Sequence, residues 1–66
     1  MGNYAIYRYL DGVKYYYRGY DPRFHWSDCW DEAIGNAEIY TDNQQVWRIV
    51  DRMGIGTYVE VIPNYE

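Results

Sequence analysis

The feature that most constrains this chain is the pair Asp11-Gly12, which stands between two runs rich in tyrosine, isoleucine and valine, residues 4–10 and 13–20. Both central residues of a type I′ turn need a positive φ angle, and Asp-Gly is among the pairs that adopt it most readily. The pattern therefore predicts a β-hairpin with a two-residue loop, and that loop sets the register of its two strands.

The alternation of side chains along this hairpin predicts two different faces. The face expected to meet the core holds most of the aliphatic side chains, and its members are Tyr4, Ile6, Leu10, Val13, Tyr15 and Tyr17. The face expected to point outward holds Ala5, Tyr7, Tyr9, Lys14, Tyr16 and Arg18. A slip of one residue would exchange the two faces, so the assignment depends on the turn.

A helix and a final strand are predicted in the second half of the chain. Thr41 and Gln44 have the spacing of a capping box, and Gly54 suits a helix end, so the helix is expected over about 42–53. Its apolar side chains recur at helical spacing, and they are Val46, Ile49, Val50 and Met53. The β-branched run 58–62 predicts a strand that ends at Pro63.

The segment between the hairpin and this helix is less regular. Trp26, Trp30 and Ile34 are spaced for one face of a helix, which predicts a short helix or turn near 27–34. Residues 37–40 are expected to form either a brief strand or the tail of that helix. The whole chain, 1–66, is thus predicted to be a single α+β domain: a small, mainly antiparallel sheet formed by the hairpin and the C-terminal strand, with one amphipathic helix on one face.

Composition and charge exclude several classes of protein. Ten tyrosines and three tryptophans in 66 residues are far too many aromatics for a disordered acidic tail. A formal net charge of −4 argues against a general binder of duplex DNA. No run approaches the roughly 20 apolar residues of a membrane span, and no secretory signal is recognisable, so no membrane association and a cytoplasmic location are expected.

Catalytic and metal-binding patterns are weak. A lone cysteine, Cys29, excludes a disulfide framework. His25 lies four residues before it and could pair with it as a nucleophile, but a small chain is not expected to wall a pocket of several hundred Å³ around such a pair. We therefore expect a protein that is not an enzyme, with no cofactor and no metal site.

Two candidate contact surfaces remain. The first is the outward face of the hairpin, with Tyr7, Tyr9, Tyr16 and Arg18 as anchors, because tyrosine and arginine are enriched at interface hot spots. The second is an acidic cluster formed by Asp28, Asp31 and Glu32, within a segment, 21–45, that has six acidic residues against Arg23 alone. Such acidity favours a basic partner. Three alternatives stay open: single-stranded nucleic acid stacked on the tyrosines, a homodimer, or a tyrosine-rich sheet that binds nothing.

Several short motifs resemble those of small phage and prophage proteins. They are Tyr16-Tyr17-Arg18-Gly19, an intervening Trp26, the run 37–41, an amphipathic helix and the closing strand 58–62. In size and acidity the chain also resembles phage anti-defence inhibitors, including anti-CRISPR proteins. The resemblance implies a non-enzymatic protein that inhibits a host or defence complex by occluding a basic or nucleic-acid-binding protein.

Overall fold

The computed structural model describes residues 2–20, 23 and 29–62. Its regular elements are β1 (Tyr4–Leu10), β2 (Val13–Tyr17), β3 (Trp30–Asp31), α1 (Asn43–Met53) and β4 (Thr57–Val61), with a 3₁₀ turn at Ile34–Asn36. The strands form one antiparallel sheet in the order β3-β2-β1-β4. The predicted α+β class is therefore confirmed. Among the described residues, no helix has the length and apolarity needed to cross a bilayer.

The N-terminal hairpin has the predicted turn and register. Asp11 and Gly12 both have positive φ angles, 52° and 82°. Leu10 is opposite Val13, and Arg8 is opposite Tyr15. A two-residue turn that needs two positive φ angles fixes the register of the two strands that it joins. The pairing of β1 with β2 can therefore be predicted from the turn residues alone.

The helix is present as predicted, but its N-cap is Asp42 rather than Thr41. The Asp42 carboxylate accepts hydrogen bonds from the backbone N–H groups of Gln44 at 2.9 Å and Gln45 at 3.4 Å. A carboxylate satisfies these orphan donors and also complements the positive end of the helix dipole. Gly54 follows the last helical residue with a φ of 90°.

The prediction of a short helix or turn near 27–34 is wrong for Trp30 and Asp31, whereas a 3₁₀ turn does begin at Ile34. Trp30–Asp31 is a strand that pairs with β2, and only the 3₁₀ turn follows it. The spacing of Trp30 and Ile34 imitates a helix, yet these side chains pack in two different clusters. Residues 27 and 28 lie outside the described part of the chain. The strand considered near 37–40 is reduced to one bridge, between Tyr4 and Tyr40.

The main core lies between the sheet and α1. Ile6 and Val46 are both fully buried there. The cluster, which we call the helix-side core, consists of Ile6, Tyr17, Cys29, Trp30, Val46 and Val50. Ile49 and Met53 pack against it, so the predicted apolar stripe of the helix is confirmed. The Arg8 guanidinium lies 4.3 Å from the Trp30 ring and extends this core toward the hairpin tip.

Burial on the opposite face of the sheet differs from the prediction. Ala5 and Tyr16 were expected to point to solvent, but they are buried with Ile62 in a second cluster. Three side chains from the segment between β3 and α1 cover that cluster, namely Ile34, Ala37 and Ile39. Conversely, Leu10 and Val13 were expected in the core and are 52% and 39% exposed, because none of the elements that the structure describes covers the hairpin tip.

Candidate functional site

Four tyrosines form a continuous ring cluster on the sheet face opposite α1. Tyr16 of β2 and Tyr58 of β4 are both cross-strand partners of Tyr7 on β1. The Tyr7 ring centroid lies 6.4 Å from that of Tyr16, 5.5 Å from that of Tyr58 and 5.9 Å from that of Tyr9. We call Tyr7, Tyr9, Tyr16 and Tyr58 the tyrosine patch. Three adjacent strands hold these rings in place, which lowers the entropy lost on contact with a partner.

An ion pair crosses the centre of the tyrosine patch. Lys14 of β2 reaches over Tyr7 to the Glu60 carboxylate of β4, with its ammonium 4.3 Å from the Tyr7 ring centroid. The Tyr16 hydroxyl donates to the same Glu60 oxygen at 3.1 Å. The hydrogen bond to Glu60 raises the pKa of Lys14 above its ordinary value. The ammonium is therefore charged at every physiological pH, and its charge is compensated within the patch.

Exposure within the tyrosine patch is uneven. Tyr9 is 57% exposed and Tyr58 is 50% exposed, whereas Tyr7 is half-buried. Tyr16 is only 9% exposed, so the prediction that it points to solvent is wrong. Tyr16 is buried because the segment that carries Ile34 and Ile39 packs against it. Its ring contacts that of Tyr7 but therefore presents little surface to a partner. The surface that a partner can reach is formed mainly by Tyr9 and Tyr58, with Tyr7 between them.

Part of the predicted acidic cluster borders this patch. Asp31 is the cross-strand partner of Tyr16, and the next residue, Glu32, is exposed. The Asp31 carboxylate accepts from the Ala33 N–H at 2.8 Å and from the Asn36 side-chain amide at 3.3 Å. The bond from Ala33 is the main reason that the pKa of Asp31 lies below its ordinary value. The strand pairing therefore places Asp31 on the same sheet face as Tyr16.

The remaining predicted site residues are less informative. Arg18 is exposed at the end of β2, two residues beyond Tyr16. Asp28 lies outside the described residues, as does His25 of the considered catalytic pair. Cys29, the other member of that pair, is buried in the helix-side core.

Tyr58 and Glu60 belong to the patch, but the sequence analysis did not assign them to a site. Both lie on β4, whose position beside β1 joins residues more than forty positions apart. The alternation Tyr58-Val59-Glu60-Val61 was the available signal, since it places Tyr58 and Glu60 on one face and the two valines on the other. That signal could not specify which strand β4 would pair with.

An open groove of about 670 Å³ lies on the helix side of the molecule. Its lining residues are Tyr17, Gly19, Tyr20, Glu38, Tyr40, Gln45, Ile49, Arg52 and Met53. Cys29 is not among these lining residues, so the groove does not surround the member of the considered catalytic pair that the structure describes. Among the described residues, no three His, Cys, Asp or Glu side chains are grouped closely enough to hold a metal ion.

The groove gives a prediction for alkaline stability. Burial, reinforced by Glu38, raises the pKa of Tyr40 above its ordinary value, which is near 10. Because the folded state favours the protonated phenol, this stabilisation is complete below about pH 10 and is lost as the pH rises from there toward the higher folded pKa. Tyr40→Phe should flatten the fall in melting temperature between about pH 9 and 12, measured by circular dichroism.

The matched control for Tyr40→Phe is Tyr20→Phe, because Tyr20 lines the same groove but is 72% exposed. The control should follow the wild-type profile. An equal flattening in both variants would contradict the assignment of the effect to the burial of Tyr40.

Comparisons with protein-family models, with curated proteins and with solved structures gave no match. The geometry of the tyrosine patch and its acidic border is therefore the basis for assigning a function.

Proposed function

We propose that this chain is a non-enzymatic binding protein whose tyrosine patch occludes a surface of another protein. The observation that carries the proposal is the pair of half-exposed rings, Tyr9 and Tyr58, which are both in ring contact with Tyr7. Rigid tyrosines bury a large amphipathic area with little loss of side-chain entropy, which is how many binding surfaces obtain their affinity.

The border of the patch indicates the chemistry of the partner. Lys14 and Glu60 compensate each other within the patch, whereas Asp31 lies beside Tyr16 at its edge and the next residue, Glu32, is exposed. A complementary surface would offer an apolar depression for the two tyrosine rings and basic side chains opposite the acidic border. Charges at the rim of an interface act mainly on the association rate and on specificity.

The resemblance to phage anti-defence inhibitors suggests which proteins offer such a surface. A host or defence protein that binds nucleic acid has a basic surface by necessity, and an acidic protein seated on that surface would block it. We therefore propose a CRISPR-type or other nucleic-acid-binding protein as the partner, and inhibition by occlusion as the mode of action.

Single-stranded nucleic acid fits the patch less well than a protein does. Stacked bases need cations along the phosphate backbone, and the lysine of the patch already has its charge compensated by Glu60. Asp31 and Glu32 at the border would also repel phosphates.

Site-directed photo-crosslinking in bacterial cells tests the proposed surface. The photoreactive residue p-benzoylphenylalanine would replace Tyr9 or Tyr58, and it would replace Tyr20 as the control because that residue is a more exposed tyrosine on the groove side. We expect one discrete protein adduct from the first two positions, identified by mass spectrometry, and none from the control.

The affinity for the crosslinked protein then decides the role of the rings. The double substitution Tyr9→Ala and Tyr58→Ala should weaken binding by about 100-fold or more, because two central tyrosines are removed. Tyr20→Ala should leave the affinity within about threefold of wild type, and all three proteins should melt similarly because these side chains are exposed. Unchanged affinity in the double variant, or adducts with nucleic acid alone, would refute the proposal.

A further inference from the structure

The strand β4 is an edge whose hydrogen-bonding groups are turned outward. Within the part of the chain that the structure describes, β4 pairs with β1 alone. The Ile62 N–H donates to the Asn3 carbonyl at 2.8 Å, on the β1 side. Backbone groups alternate in direction along a strand, so those of Thr57, Val59 and Val61 point away from β1. The outer edge therefore presents three residues that are set to pair with another strand.

Over Thr57–Val61, this edge lacks the features that usually prevent strand pairing. Edge strands are commonly short, or protected by lysine or proline, and β3 at the other end of the sheet has only two residues. In contrast, β4 has five residues, and its one charged side chain, Glu60, is bound to Lys14. Val61 is 63% exposed and Tyr58 is 50% exposed, on opposite faces of the strand. The edge thus combines unpaired backbone with apolar side chains on both sides.

The helix α1 contributes a further exposed apolar side chain, Trp47, on the side of the molecule where β4 lies. Ile49 and Gln45 line the groove on the β2 side of α1. Trp47 projects from the other flank of the helix, about 100° around its axis from the buried Val46, and is 49% exposed. Since α1 packs on both β1 and β4, that flank lies on the β4 side. An exposed tryptophan beside an open strand edge is typical of a surface that becomes buried on association.

We propose that the outer edge of β4 pairs antiparallel with β4 of a second copy of this chain, which forms a two-fold symmetric dimer with a continuous eight-stranded sheet. A two-fold axis at Val59 places Thr57 of each copy opposite Val61 of the other. Every outward backbone group of β4 then has a partner, and Tyr58 lies opposite Glu60 of the other copy. Of the two neighbouring registers, the one centred on Glu60 would place the two Glu60 side chains opposite each other, which like-charge repulsion disfavours. The one centred on Tyr58 would leave the outward groups of Val61 without a partner in the other β4.

The dimer would alter the presented surface as well as the size of the protein. The two-fold axis runs perpendicular to the sheet. Both tyrosine patches therefore lie on one face of the eight-stranded sheet, and both helices lie on its other face. A partner with two equivalent sites would then be bound with greater avidity. The association itself does not depend on the proposed inhibitory function, and the experiment below uses this chain alone.

Sedimentation velocity over a micromolar to millimolar concentration series tests the dimer. Val61→Pro removes an outward N–H from an exposed residue and leaves the hydrogen bonds to β1 in place. We expect it to raise the dimer dissociation constant by about tenfold or more, since one hydrogen bond is lost in each half of the interface. The control Val61→Thr keeps the N–H and the β-branched shape, so it should dimerise like the wild type.

An isotope-filtered NOESY spectrum of the wild type, with labelled and unlabelled chains mixed, decides the case even if Val61→Pro fails to fold. The proposed register predicts an intermolecular cross-peak between the Hα atoms of Tyr58 and Glu60, because directly opposite residues of a non-hydrogen-bonded pair lie close together. A monomer at every concentration, a dimer that Val61→Pro leaves unchanged, or intermolecular contacts through the hairpin tip would overturn the proposal.

Discussion

Replacing Ile6 by alanine should remove a large part of the free energy of unfolding of this domain. Ile6 is fully buried, and it lies at the centre of the helix-side core together with Val46 and Tyr17. Removing three buried carbons leaves a cavity between the sheet and the helix, with an expected cost of about 3–4 kcal/mol. A domain of this length has a total stability of only roughly 3–10 kcal/mol, so one substitution uses a large part of it.

Urea titration followed by circular dichroism gives the free energy of unfolding for this comparison. The matched control is Ile55→Ala, because Ile55 is fully exposed and the same atoms are removed. We expect the control to lie within about 0.5 kcal/mol of the wild type. If Ile6→Ala lowers the free energy of unfolding by less than about 1 kcal/mol, the packing around Ile6 does not contribute the stability assigned to it.

The second large effect is expected at the hairpin turn. Gly12 has a φ of 82°, and a Cβ atom placed there would meet nothing within 4 Å. The cost of Gly12→Val is therefore conformational rather than steric crowding by neighbours, and a β-branched residue at positive φ should lose about 1–3 kcal/mol. Because this turn sets the register between β1 and β2, the variant should also lose the cross-strand ring contact between Tyr7 and Tyr16.

Two readouts separate these effects of Gly12→Val. Thermal melting reports the stability, and the dispersion of the tyrosine ring resonances in the NMR spectrum reports the tyrosine patch. Gly35→Val is the control, because a Cβ there is equally unobstructed but the residue needs no positive φ. Equal losses in the two variants would contradict the role assigned to the turn.

Local patterns were sufficient for the hairpin and the helix. The register follows from Asp11-Gly12, and the buried stripe of α1 follows from the spacing of Val46 and Val50. These features depend on residues close in sequence, and the physical rules for them, φ preference and helical periodicity, act over a few positions.

The burial of individual tyrosines and the order of the strands in the sheet could not be predicted from local patterns. The burial of Tyr16 depends on Ile34 and Ile39, which reach its face only because Trp30–Asp31 pairs with β2. The addition of Tyr58 to the tyrosine patch depends on β4 pairing with β1. A tyrosine suits either an exposed or a covered sheet face, so its residue type alone did not determine which would occur.

Both proposals depend on one arrangement, in which Tyr7 lies between Tyr16 and Tyr58 on the sheet face opposite the helix. A NOESY spectrum in D₂O tests it directly through the Hα atoms of non-hydrogen-bonded pairs, which lie close together across antiparallel strands. The arrangement predicts strong cross-peaks between Tyr7 and Tyr16 and between Ile6 and Val59. Cross-peaks displaced by one residue in either pair would place the tyrosines on the helix side and contradict the account.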